Sequence, residues 1–155
     1  MNQDDVSIRP IEPRDAGEVL TLQRAAFVSE ALIYRSVDMP PLTQTLEELE
    51  AELVTNLGCV ALAGARMVGA VRAQRDGDLL LIGRLAIAPD MQGRGIGSRL
   101  LRAVEERTDA AEAELFTGSL SEANLRLYQR EGYAETERVT EDEGIEQVFL
   151  RKRLR

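Results

Sequence analysis

The chain contains no histidine. That absence removes the commonest general base, a Ser/His/Asp triad and the commonest metal ligand together, so no metal is expected and any proton transfer falls to other groups. Cysteine is nearly absent too. Cys59 stands alone, which excludes a disulfide within the chain and makes a reducing cytoplasm the expected location. Long apolar runs are missing: the longest stretch free of charged side chains, between Glu52 and Arg66, is too short to span a bilayer. Met1 to Asp5 is polar and acidic, unlike the start of a secretory signal. Positive charge is in deficit, with 19 Lys and Arg against 27 Asp and Glu and a formal charge of −8. Such a balance repels nucleic-acid phosphates and anionic membrane surfaces, and neither is expected as a partner.

What is present suffices for one domain over residues 1–155, with 44% hydrophobic residues to form a core. Val6 to Arg9 reads as a strand. Asp15 and Glu18 have capping-box spacing before a helix with Val19, Leu20, Leu22 and Phe27 as its apolar stripe. Glu30 to Gln44, with Pro40 and Pro41, is expected to be irregular and suits a lid. Thr45 and Glu48 then cap a second helix. From Cys59 to Ile87 the pattern is a three-strand antiparallel meander, with turns at Gly64 to Arg66 and at Asp76 and Gly77. Its third strand, Leu79 to Ile87, is apolar apart from Arg84, which predicts a central position buried on both faces. A helix carrying Ile96, Leu100, Leu101 and Val104 leads to a parallel strand at Leu115 to Thr117. Ser121 caps another helix stopping at Gly132, and strands near Tyr133 to Val139 and Glu146 to Leu154 enclose an acidic turn. The result is an α/β (α+β) fold, a mixed six- to seven-stranded sheet flanked by about four helices.

Between the central strand and the helix after it stands Gln92, Gly93, Arg94, Gly95, Ile96, Gly97. Glycine permits positive φ and close approach of a ligand to the backbone, and the first amides of a helix lack internal partners. With the helix dipole these form an anion site. A plain change of direction is the alternative, although one glycine usually suffices for it. A Walker loop would continue with Lys and Ser or Thr, whereas Ser98, Arg99 and Leu100 follow; the Rossmann fingerprint needs glycine at position 98 and an early strand of a parallel sheet. Neither fits.

Gln92, Gly95 and Gly97 match the Q/R-x-x-G-x-G/A motif of the GCN5-related N-acetyltransferases, and Leu85, Ala86, Ile87, Ala88 and Pro89 resemble that family's fourth strand. The order of elements is similar along almost the whole chain, with Leu127, Tyr128, Gly132 and Tyr133 downstream. The resemblance implies acetyl-CoA as acyl donor, with Gln92, Gly93, Arg94, Gly95, Ile96, Gly97 and Ser98 around its pyrophosphate. Helix-end electrostatics give about 0.3 to 2 kcal/mol, whereas a micromolar ligand needs about 8. Further contacts are therefore expected from Leu85, Ala86 and Ile87, where the family's sheet splays and pantetheine pairs like an added strand. Arg94, Arg99 and Arg102 are candidates for the phosphates, the last two also reading as a solvated helix face.

The family's reaction is direct attack of a primary amine on the thioester, through an oxyanion for which a backbone amide near Ile87 is the candidate stabiliser. By the same resemblance Tyr128 protonates the departing thiolate; a core aromatic is the alternative reading of that position. The family pattern has asparagine seven residues and alanine four residues before the tyrosine, where this chain has Ser121 and Asn124. Asn124 is a candidate cofactor contact. Glu30 and Tyr34 are candidates for the acceptor side, and the nearby carboxylates favour a cationic amine. Cys59 reads as a buried structural thiol. The acceptor is expected to be a small molecule or a peptide amine, with a non-catalytic CoA-binding sensor or interaction module as the alternative. The terminal strands offer an edge on which a homodimer could pair.

Overall fold

A computed structural model describes residues 5–141 and 144–155. Residues 1–4 and 142–143 lie outside them, and with them most of the amino-terminal segment and the centre of the expected acidic turn. The elements are β1 (Val6–Pro10), α1 (Ala16–Tyr34), α2 (Pro40–Thr43), α3 (Leu46–Thr55), β2 (Leu57–Ala63), β3 (Arg66–Asp76), β4 (Leu79–Ile87), α4 (Ile96–Glu106), β5 (Glu112–Gly118), α5 (Glu122–Arg130), β6 (Ala134–Thr140) and β7 (Glu146–Arg153). They build a seven-stranded sheet in the order β1-β2-β3-β4-β5-β7-β6. Only β4 and β5 run parallel; every other pair is antiparallel.

The two-residue period of β3 assigns the helices to faces. A Cβ on Gly69 would meet Leu100 and Ile96 of α4, whereas Arg72, three residues on, meets Gln23 of α1. Fully buried Val60, Val68, Val71 and Leu80 of the sheet join Val19 of α1, Leu49 of α3 and Leu100, Leu101 and Val104 of α4 in one core. Cys59 belongs to it, and burial raises its thiol pKa.

Four local expectations need correction. The capping box lies one turn early, between Glu12 and Asp15, because the Asp15 carboxylate accepts from the Glu12 amide at 2.8 Å and from Arg9 at 2.8 and 2.9 Å. Glu30 to Gln44 is largely ordered: α1 continues to Tyr34, ends on a left-handed Arg35, and the two prolines open a single helical turn, making five α-helices. Proline suits that position because the first amides of a helix need no partner. The meander's second turn falls on Gly77 and Asp78, one residue late. Finally, β4 is central but not buried on both faces; Leu79, Leu81, Leu85 and Ile87 are half-buried and Gly83 is exposed.

Candidate functional site

The parallel ladder between β4 and β5 is short, pairing only Leu79, Leu80 and Leu81 with Glu112, Ala113 and Glu114. Beyond Leu81 the strands part, while β4 stays paired with β3 as far as Ile87. Ala88 donates its amide to Val68 of β3 at 2.8 Å. Since successive residues alternate direction, the main-chain groups of Leu85 and Ile87 point the other way, into the fork.

The glycine turn closes one end of this fork. Gly93 and Gly95 have φ of 76° and 77°, and nothing stands within 4 Å of where a Cβ would be on either. Their backbone conformation, not crowding, calls for glycine. Among the described residues no backbone carbonyl accepts from the amides of Gln92 to Ser98. Those amides therefore form an open row at the start of α4. Gly97 serves packing instead: a Cβ there would come within 3.2 Å of Leu127 and 3.8 Å of Leu85, so the start of α4 is seated between β4 and α5. Arg94 is exposed in the turn. Arg99 and Arg102 are engaged elsewhere, Arg99 donating to the Val6 carbonyl at 2.8 Å and Arg102 pairing with Glu131 at 2.8 and 3.0 Å.

The fork opens into a cleft of about 720 Å³ that takes in Leu85, Glu30, Tyr34, Asn124 and Tyr128. Tyr128 is buried beneath it, its ring 6.4 Å from that of Tyr133 in an edge-on contact. Burial first, and the Glu30 charge second, push the Tyr128 phenol well above its ordinary pKa. Glu30 accepts from the Ser121 hydroxyl at 2.6 Å and the Asn124 amide at 3.5 Å. Asn124 also donates to Thr117 at 3.3 Å. Ser121 and Tyr34 share a hydrogen bond of 2.7 Å. Ser121 is thus an N-cap by position only, because its side chain is taken by α1 and makes no cap bond. Tyr34 lies so close to Gly118 that a Cβ there would overlap its hydroxyl.

The opposite wall rests on a buried polar network. Arg72, 3% exposed, donates to Glu52 at 2.6 Å, Gln23 at 2.8 Å and Gln44 at 3.2 Å. Gln23 reaches on to the Pro41 carbonyl at 2.8 Å. These bonds hold the double-proline turn against α1 and α3. Beside them, Arg84 and Leu85 of β4 stand opposite Val71 alone in a β-bulge, and Arg84 has φ of 54°. That conformation costs a non-glycine residue about 1 kcal/mol or more.

The structure therefore brings Leu85, Glu30, Tyr34, Asn124 and Tyr128 into one cleft, whereas Ala86, Ile87 and Gln92 to Ser98 are not part of its lining and adjoin it only through Leu85, which Gly97 approaches. Ala86 is buried toward β3. Arg72, Arg84, Thr117 and the Ser121 side chain enlarge the set. Arg84 had a sequence signal as the one charge in an apolar strand, and Ser121 as a helix cap in the place of the family's asparagine.

The sequence profile of the acetyltransferase (GNAT) domain matches residues 36–154. The UPF0157 protein YqkA of Bacillus subtilis strain 168 is 25% identical over 131 residues, which take in 84% of this chain and 38% of YqkA. The chain thus spans about two fifths of that relative's length. Among solved structures, the PaiA N-acetyltransferase of Thermoplasma acidophilum, crystallised with coenzyme A, superposes with a TM-score of 0.80 at 16% identity, covering 96% of this chain and 98% of that one. YncA of Salmonella typhimurium, crystallised with acetyl-CoA, gives a TM-score of 0.74 at 16% identity, covering 97% of this chain and 95% of that one. At such identities the likeness establishes the fold, and the sheet parts in the manner the motif implied. With the profile covering most of the chain as well, the protein belongs to the GNAT acetyltransferase family.

Proposed function

We propose that this chain transfers an acetyl group from acetyl-CoA to a primary amine on a small molecule or peptide, within a ternary complex. One observation carries the reading: a fork in the sheet begins beside an open row of helix-start amides and opens into a cleft lined by a buried tyrosine, Tyr128. Both ends fit the donor. When bound, acetyl-CoA supplies an activated thioester carbonyl and a thiolate leaving group. The amides from Gln92 to Gly97, with Ser98, hold the pyrophosphate, and exposed Arg94 is the guanidinium left free to approach it. Leu85 and Ile87 offer main-chain groups to the pantetheine amides, as an edge strand does to an added one. Ala86 spaces them by facing β3. Asn124 borders the same arm from α5.

Tyr128 holds its proton at the phenolic oxygen and donates it toward the sulfur as negative charge develops there. Glu30 sits where its charge both favours the neutral phenol and attracts the acceptor's ammonium. Tyr34, fixed by Ser121, forms the wall beside it. The test pairs thermal shift with thiol release. CoA and acetyl-CoA at 100 times Kd should each stabilise the fold by about 2.7 kcal/mol, a rise of roughly 5 to 10 °C in Tm. Thiol release from acetyl-CoA should require an added amine. No shift with either ligand at millimolar concentration would remove the reading. Stabilisation without thiol release from any amine would leave a CoA-binding sensor in its place.

A further inference from the structure

Arg84 is a cation in the cleft wall with no direct partner among the described residues. Its Nε is buried, and among the described residues no hydrogen bond or ion pair engages the guanidinium. Glu52 acts on it through space, but its two oxygens already accept from Arg72 at 2.6 Å and Gln44 at 2.8 Å. Burial accordingly lowers the Arg84 pKa, with Glu52 opposing. Arg84 as a whole is half-buried, and a partly desolvated charge without a direct partner is costly and concentrates where a ligand completes it.

The backbone points the same way. Arg84 occupies a left-handed conformation in a β-bulge, with Gly83 next to it. Glycine would relieve the strain at this position, yet the chain carries its longest cationic side chain there. Bulges re-aim side chains, and this one turns Arg84 from the ladder into the cleft it lines. The cleft carries both signs of charge: among the described residues Arg72 and Arg84 are its two cations, Arg72 being paired with Glu52, while Glu30, Asp38 and Glu141 are the other acids of its lining.

We infer that the acceptor is an amino carboxylate, a small molecule whose carboxylate pairs with the planar fork of Arg84 while its amine lies toward Glu30 and Tyr128. The inference rests on the acyl-transfer reading and adds a second charge to the acceptor. It refines the simple preference for a cationic amine that the acidic residues suggest. A cleft of about 720 Å³ has room for the donor's arm and a molecule the size of an amino acid.

The experiment compares amino acids with their carboxamides as acceptors in thiol release, for the wild type and for Arg84→Asn and Arg84→Lys. Asparagine tolerates the left-handed backbone, so the first variant removes charge without adding strain. The wild type should prefer the best carboxylate over its amide by roughly 10- to 100-fold in kcat/KM. In R84N that ratio should collapse, and in R84K it should fall part of the way. In parallel, N-acetyl amino acids and their amides are tested as product-side ligands by thermal shift with CoA present. Stabilisation of the wild type by the carboxylates alone, lost in R84N, supports the assignment even where no acceptor turns over, in which case the transfer reading is what has failed. Equal response to carboxylate and amide in both assays overturns it, as does a preference that survives R84N.

Discussion

Tyr128 keeps its proton more firmly than an exposed tyrosine because burial and the Glu30 charge both oppose a phenolate. The sign follows from that direction. A phenol whose pKa is raised above about 10 stays neutral through the range in which a primary amine loses its proton, near 10.4. Its own ionisation therefore should not depress kcat on the alkaline side up to about pH 10. Tyr128→Phe removes the proton and little volume, so kcat should fall on the order of 100-fold while the thermal shift by CoA is retained. Equal turnover by the variant with the best acceptor would take Tyr128 out of the mechanism. The family resemblance singled out Tyr128, and helix capping singled out Ser121. The bond of the Ser121 hydroxyl to Glu30 was not legible, because that partner lies 91 residues away and no local pattern encodes it.

At the level of elements, legibility followed the range of the interactions. The Thr45 and Glu48 capping box closes within one turn, at 2.9 and 3.2 Å, and its residues announce it. The double-proline turn reads as irregular because its order is borrowed from Gln23, Glu52 and Arg72 on three other elements, which its own C-cap Gln44 joins. That dependence can be measured. Arg72→Met would leave the Glu52 carboxylate with Gln44 alone and the buried Gln23 oxygen without its donor, and should cost about 2 to 4 kcal/mol in urea unfolding. The midpoint should fall with little change in m-value. A loss under 1 kcal/mol would mean that the network does not hold the turn. Arg84 shows the same limit from the other side. Its charge stands out in an apolar strand, but the bulge that aims it depends on register with β3, which the strand's own residues do not reveal.

Across the whole molecule, acidity sets the conditions of stability. Arg9 and the Glu12 amide hold the Asp15 carboxylate below the ordinary range, and Arg102 does the same for Glu131. A group whose folded pKa is depressed binds its proton more readily in the unfolded chain. Its stabilisation is present above the unfolded value, about 4, and is lost as pH falls through the folded one. The urea midpoint should therefore hold from pH 7 to 5 and drop steeply toward pH 3, with a shallower drop in Asp15→Asn. A midpoint unchanged at pH 3 would contradict these pairings. The charge of −8 adds repulsion between copies of the chain at neutral pH. That repulsion bears on the parting of β4 from β5. Unpaired main chain is what makes sheet edges templates for aggregation, and most proteins keep such edges short or charged. Here the unpaired stretch of β4 lies between two strands of the sheet, and Leu85 shares its cleft with Tyr128 and Asn124 of α5. An edge turned inward between two strands of one sheet is not offered to a strand of another copy as an outer edge is. The protein can thus carry a permanently sticky edge at its centre without becoming a seed for its own fibres.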